Sequence, residues 1–140
     1  MDSIDKIIPG LFLSNYNAAA NIDIITKLGI KKIISLGSYE EHTKYTVHEG
    51  IEYLFIFIDD HENEPIICHF KECNDFIEPN TLVHCYAGIS RSATIVIAYL
   101  KSIGMDYYEA HRIVKEKRPC INPNDGFLKQ LEEWRVSQKM

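Results

Sequence analysis

The stretch Thr81-Leu82-Val83-His84-Cys85-Tyr86-Ala87-Gly88-Ile89-Ser90-Arg91-Ser92 decides how this chain is read. Its first four residues make a very short apolar strand, Cys85 ends that strand, five residues form a tight loop, and Arg91 opens a helix. That helix is expected to run from Ser92 to Ile103 and to close at Gly104. The loop suits a tetrahedral oxyanion. Successive backbone N–H groups in a curled segment converge on an anion, and a helix N-terminus adds positive potential at the same place. Gly88 permits a backbone turn that a side chain would obstruct. The planar fork of Arg91 grips two oxygens at once, which a lysine does not. The same field favours the thiolate form of Cys85, a nucleophile that needs no metal to create it. The Ser92 hydroxyl is placed to hydrogen-bond that sulfur when it departs.

Working outward, Ile7-Ile8-Pro9-Gly10-Leu11-Phe12-Leu13 reads as two short strands about a Pro-Gly turn. Ile22, Ile25 and Leu28 recur at helical spacing within one helix from Asn17 to Leu28, which Gly29 stops. The isoleucine- and aromatic-rich runs Lys32–Leu36 and Tyr53–Ile58 suit buried strands. Residues 66–77 form a helix ended by Glu78-Pro79-Asn80. Beyond the loop helix, Asp106 and Glu109 make a capping-box pattern that opens a helix stopping before Pro119. A last helix from Asn124 or Asp125 sets Phe127, Leu131 and Trp134 on one stripe. Strands alternating with helices, then a helical C-terminal half, predict an α/β domain with a central, mainly parallel twisted sheet flanked by helices. A length of 140 residues fits one domain over 1–140, large enough for a core without disulfide or metal support.

Composition narrows the partners. The net charge of -5 argues against a general nucleic-acid binder, which needs a basic face. An anionic substrate is still admitted, because close hydrogen bonds in one local well outweigh distant screened charge. The longest apolar runs, such as Ile95–Leu100, are too short to span a bilayer, and Met1–Gly10 has no basic segment leading into an apolar one. Asp2 excludes the myristoylation pattern, and Ser137–Met140 lacks a cysteine for prenylation. Cys68, Cys73, Cys85 and Cys120 then read as reduced thiols. The expectation is a cytoplasmic protein, present also in the nucleus, with no membrane attachment. Cys68, His69 and Cys73 lack the paired spacing of a closed zinc site, so no metal and no cofactor is expected. His42, His48 and His111 read as surface or helix-face residues.

An alkoxide or phenoxide leaves poorly at neutral pH unless it receives a proton. Asp59-Asp60-His61 follows the strand at Tyr53–Ile58, so it lies on a loop from which a carboxylate can reach the oxyanion. Taken alone the doublet would mean only a solvated acidic loop. A cysteine and an arginine six positions apart likewise recur by chance, and the bland alternative is a buried structural cysteine with a surface arginine. The strand–loop–helix placement, the preceding histidine, the internal glycine and the following serine are what make the segment specific.

With those residues in view the chain resembles the dual-specificity protein phosphatases of the compact atypical kind, within the cysteine-based protein tyrosine phosphatase superfamily. His84-Cys85-x-Ala87-Gly88-x-Ser90-Arg91-Ser92 matches the family's active-site loop without departure. Arg118-Pro119 and Pro123-Asn124-x-Gly126-Phe127 match a second pattern downstream, and the likeness runs from Ile8 to Leu131. The resemblance implies a protein tyrosine phosphatase-like fold, with Cys85 as the nucleophile that becomes a phosphocysteine and Arg91 as the binder of phosphate and transition state. Ser92 would steady the thiolate and His84 would orient the cysteine through hydrogen bonding. Tyr86, Ala87, Gly88, Ile89 and Ser90 would cradle the substrate, with Tyr86 at the rim, and Asn124 would brace the loop. Family spacing to Phe70 favours Asp60 as general acid, and the doublet leaves Asp59 open. Two departures stand out. Asn80 replaces a glycine common before the short strand, and no position clearly matches the second cysteine that in several relatives protects the nucleophile as a disulfide. Redox regulation by Cys68, Cys73 or Cys120 stays open beside the plainer reading of all three as packing residues.

The implied substrates are proteins phosphorylated on tyrosine, serine or threonine, a signalling kinase among them by family analogy alone. A phosphoinositide or RNA 5′-end phosphatase is the first alternative, although the loop interior carries no extra base for a multiply charged head group. A phospho-binding module is the second, and loss of Cys85, Arg91 or the acid would signal it. Small acid phosphatases carry a similar loop near the N-terminus with the acid after it, whereas here the acid candidates come first. Strict phosphotyrosine specificity resembles an attribute of longer catalytic domains, and this chain looks too short for their added aromatic loop. Tyr107 and Tyr108 suit either an interface or the core, so the sequence leaves the oligomeric state open.

Overall fold

The computed structural model describes residues 3–136, so Asp2 and Ser137–Met140, read above for lipidation signals, lie outside it. Strands β1 (Asp5–Ile8) and β2 (Leu11–Ser14) pair antiparallel across the Pro9-Gly10 turn. The single helix expected from Asn17 to Leu28 is instead two, α1 (Tyr16–Ala19) and α2 (Ile22–Lys27). Its break is local chemistry. The Asn21 side chain accepts from the Asp23 and Ile24 amides at 3.1 and 3.3 Å, so a new N-cap ends the old helix. The restart places Ile22 in the first turn of α2, where it is 47% exposed, while Ile25 keeps its buried place.

Strand β3 (Lys32–Gly37), helix α3 (Tyr39–His42) and strand β4 (Glu52–Phe57) follow. A 3-10 turn at Ile66–His69 leads into α4 (Phe70–Phe76), and β5 (Thr81–His84) takes the predicted bounds. The C-terminal half is α5 (Arg91–Ser102), α6 (Tyr107–Lys117) and α7 (Asp125–Glu133), opened by Asn124 as N-cap. Sheet order is β1-β2-β5-β3-β4, and every pair except β1/β2 is parallel. The expected α/β class and mainly parallel sheet are therefore observed. One strand departs from expectation: β4 is an edge strand rather than a buried one. It pairs only with β3 among the described residues, so Phe55 and Phe57 are left exposed.

Alternation along β5 splits the core between the two faces of the sheet. Val83 packs with Leu13, Ile34, Phe70, Ile95 and Phe127, while Leu82 packs with Phe12, Ile25, Ile30 and Ile33. Residues Arg91 to Ala98 of α5 are all buried, as befits a helix enclosed on every side. The asparagine that replaces a glycine, Asn80, holds φ at 72°, a left-handed value that asparagine tolerates better than most side chains. Its amide donates to Gly10 O at 2.7 Å, tying the turn before β5 to the β1–β2 turn. Among the described residues no helix is long and apolar enough to cross a membrane. Central β5 delivers Cys85 to the carboxyl ends of the parallel strands, the edge at which α/β sheets bind ligands.

Candidate active site

The loop that follows β5 is fastened from three directions. Arg118, 2% exposed, donates from Nε to Gly88 O at 2.9 Å and is itself held by Asp5 at 2.8 Å. The Asn122 amide donates to Ile89 O at 2.8 Å, and the Asn124 amide donates to Ser90 Oγ at 3.0 Å. Gly88 has φ 70°, and a Cβ there would stand 2.7 Å from Ser14 C, Asn15 N and Arg118 Nη2. Only glycine meets both demands.

Inside the loop, Cys85 Sγ lies 3.1 Å from Ser92 Oγ and accepts from the Gly88 amide at 3.2 Å. Among the described residues, the amides of Tyr86, Ala87, Ile89 and Ser90 donate to no protein acceptor, which leaves them for an anion. His84 does not reach the sulfur. Its Nδ1 donates to Cys85 O at 3.2 Å, and its Nε2 accepts from the Ser35 hydroxyl at 2.8 Å. The carbonyl contact puts a proton on Nδ1, and a neutral ring then takes the Ser35 hydroxyl hydrogen on Nε2. Burial pushes the His84 pKa down to about 4, more than the Cys85 carbonyl raises it, so the neutral form is the stable one.

Arg91 is 5% exposed, which removes the surface-arginine alternative. Its Nη1 and Nη2 donate to the two carboxylate oxygens of Glu41 at 2.6 and 3.2 Å, and Nη1 also donates to Ile58 O at 2.9 Å. Glu41 was not singled out by sequence. The signal for it was partial: Ser38-x-x-Glu41 is a complete capping box opening α3, with Ser38 N donating to Glu41 Oε1 at 2.8 Å. Nothing local announced that the same carboxylate would cross to an arginine 50 positions away. Burial opposes the charge on Glu41, and the Arg91 hydrogen bond overcomes it, holding the carboxyl below its ordinary value. Burial likewise works against Arg91, whose pKa is nonetheless raised by Glu41. Both partners are therefore charged.

The two acid candidates point apart. Asp60 Oδ1 accepts from Asn124 Nδ2 at 2.9 Å, which ties it to the residue bonded to Ser90. The Asp59 amide instead donates to Glu64 Oε1 at 2.9 Å, and Asp59 lines a neighbouring hollow with Tyr39 and Phe57. The loop over residues 59–64 is pressed on α7, whose Gln130 Nε2 donates to Glu64 O at 2.9 Å. Gly126 makes the approach possible, since a Cβ there would fall 1.9 Å from Glu62 O. At the rim, Tyr86 stacks on Tyr16 with ring centroids 4.5 Å apart. All four cysteines are free. Cys73 packs in the core and burial pushes its thiol up to about 12, whereas Cys68 is exposed and is not the packing residue expected. Among the described residues no group of three or more histidine, cysteine or acidic side chains could hold a metal ion.

Comparison with known proteins shows the family. The family model described as "Dual specificity phosphatase, catalytic domain" matches residues 11–137. Mouse "Dual specificity protein phosphatase 15" is 43% identical over 99% of this chain, which spans 61% of that relative's length. The crystal structure of the human tyrosine phosphatase-like serine/threonine/tyrosine-interacting protein superposes with a TM-score of 0.89 at 39% identity, covering 95% of each chain. A mouse putative dual specificity phosphatase complexed with zinc tungstate superposes at 0.85 with 26% identity, covering 95% of this chain and 86% of that one. Since the family model runs through both halves of the sheet and on to the last helix, the chain belongs to the dual specificity phosphatases.

Proposed function

We propose that the chain, as one catalytic domain over 1–140, hydrolyses phosphate esters of tyrosine, serine and threonine in proteins. The observation that carries this reading is the donor set left on Arg91. A guanidinium has five N–H groups. Glu41 and Ile58 take both hydrogens of Nη1 and one of Nη2, and Nε is buried with no partner among the described residues. The two remaining donors, on Nε and Nη2, lie along one edge of the fork and match two oxygens of a phosphate. Cys85 Sγ sits on the same loop with the Ser92 hydroxyl and Gly88 amide beside it.

In the first step the Cys85 thiolate attacks phosphorus and the bond to the leaving oxygen breaks, while the Asp60 carboxyl gives that oxygen its proton. The bond from Asp60 to Asn124 supports this choice over Asp59, which faces the adjoining hollow. In the second step water attacks the phosphocysteine, Asp60 takes the water's proton, and the P–S bond breaks. Ser92 then donates to the departing thiolate, and inorganic phosphate leaves. Arg91 and the loop amides hold the equatorial oxygens throughout. His84 acts on the carbonyl side of Cys85, fixing the peptide that aims the sulfur. Tungstate in the mouse relative is a tetrahedral oxyanion, in keeping with a phosphate-shaped cradle. The setting we assign is the cytoplasm and nucleus, with phosphoproteins such as a signalling kinase as partners.

Similarity to the human phosphatase-like interacting protein favours a second reading, capture of phosphorylated partners without turnover. The experiment that separates the readings is a panel of phosphotyrosine, phosphoserine and phosphothreonine peptides, phosphoinositides and triphosphorylated RNA, run with wild type and Cys85→Ser. Turnover of peptides by wild type, and binding without turnover by Cys85→Ser, is expected. A strong preference for lipid or RNA refutes the protein-substrate reading, and tight peptide binding by a wild type that releases no phosphate establishes the capture reading.

A further inference from the structure

Beside the anion loop lies a second hollow that the proposed chemistry leaves unused. It has a volume of about 320 Å³ and is lined by Ser38, Tyr39, Phe57, Ile58, Asp59 and Glu64. It shares a wall with the catalytic site, because Ile58 O accepts from Arg91 and Ser38 opens the capping box that aims Glu41 at Arg91. Its aromatic walls are open to water: Tyr39 is 80% exposed and Phe57 54%, with ring centroids 5.8 Å apart. Phe57 also meets the His42 ring at 4.2 Å, and the surface that both aromatic rings keep toward water is electron-rich, which a cation satisfies.

The charge in the hollow has one sign. Asp59 and Glu64 contribute carboxylates, and no cationic side chain lines it. Glu64 is held in place at both ends, its Oε1 accepting from the Asp59 amide at 2.9 Å and its carbonyl accepting from Gln130 at 2.9 Å. Its negative charge is thus fixed beside the rings. Glu41, by contrast, is already neutralised by Arg91.

We infer that this hollow receives the cationic side chain of a residue flanking the phosphorylated one in the substrate. Asp59 and Glu64 supply the counter-charge, and Tyr39 and Phe57 supply the walls. A guanidinium fits better than an ammonium, since it stacks flat on a ring while its edge meets a carboxylate. This rests on the protein-phosphatase reading above and specifies which phosphoproteins that activity prefers.

The test uses phosphotyrosine peptides carrying Arg, Ala or Glu at each position flanking the phosphorylated residue. At one position Arg should raise kcat/KM over Ala by about three- to thirty-fold, the combined size of an exposed cation–π contact and a surface ion pair. Glu64→Gln keeps an acceptor for the Asp59 amide but removes the charge, and Tyr39→Ala removes one wall. Both should flatten the preference while p-nitrophenyl phosphate turnover stays at the wild-type rate. Equal rates for Arg, Ala and Glu at every position would overturn the inference, as would a preference that survives both variants. A change of oligomeric state in Tyr39→Ala without any arginine preference would assign the hollow to a second copy of the chain instead. Turnover of p-nitrophenyl phosphate with no turnover of any peptide would mark failure of the protein-substrate reading itself, and the inference would fall with it.

Discussion

Adding one methyl group at Gly126 should separate the proton donor from the rest of the chemistry. A Cβ on Gly126 would meet Glu62 O at 1.9 Å and Glu62 C at 2.6 Å. Carbon and carbonyl oxygen approach to about 3.3 Å, so the loop over 59–64 must retreat by roughly 1.4 Å in Gly126→Ala. Helix α7 will not yield in its place. It is pinned by the Asn124 cap and by buried Phe127 and Leu131. The retreat breaks the 2.9 Å bond from Asn124 to Asp60 but touches neither Cys85 nor Arg91. A misplacement of about 1 Å costs a positioned group on the order of 100-fold. The assay is kcat/KM over a series of aryl phosphates whose leaving groups differ in basicity. Gly126→Ala should lose about 100-fold on the poorest leaving groups and less than about threefold on activated ones. Combined with Asp60→Asn it should add almost nothing further. An equal loss across the series would locate the damage in the phosphate loop, and no loss on poor leaving groups would refute the placement of the acid.

The other expected outcomes concern the supports of the loop. Glu41→Gln keeps an acceptor but strips the charge facing Arg91, whose side chain is 6% exposed, and should cost about 2 kcal/mol in urea unfolding, part of it restored by saturating phosphate. Gly88→Ala forces a side chain into a left-handed position crowded at 2.7 Å, and should abolish phosphate binding measured by calorimetry while the far-ultraviolet spectrum persists. For His84 the folded pKa of about 4 lies below the ordinary 6.5, so the unfolded chain binds the extra proton. Its contribution to stability is complete above pH 6.5 and drains away as pH falls toward 4, a loss on the order of 3 kcal/mol that His84→Gln should remove from the pH dependence of unfolding. Identical pH profiles for wild type and His84→Gln would contradict the neutral, buried assignment.

What could be read in advance was local. The strand, loop and helix around Cys85 follow from Val83, Gly88 and the Arg91-Ser92 start, and the capping and stripe residues of α7 were visible in Asn124, Phe127 and Leu131. What escaped depends on contacts between segments far apart in the chain. Glu41 on Arg91, Arg118 on Gly88 and Ser35 on His84 are made only when β3, β5 and the helices assemble, and no periodicity encodes them. Two misread elements each have a cause of their own. A second asparagine cap outcompeted the apolar spacing between Asn17 and Leu28, and the position of β4 at the sheet edge left half of an apolar run in water.

The central claim is that phosphate passes through sulfur on Cys85. It is met most directly by quenching wild type and Ser92→Ala in acid during turnover of a phosphotyrosine peptide and mapping the modified residue by mass spectrometry. A phosphoryl group on the peptide containing Cys85, accumulating further in Ser92→Ala because the second step slows, is the expected result. Turnover with the phosphoryl group on another residue, or with none on Cys85 in either protein, would contradict it.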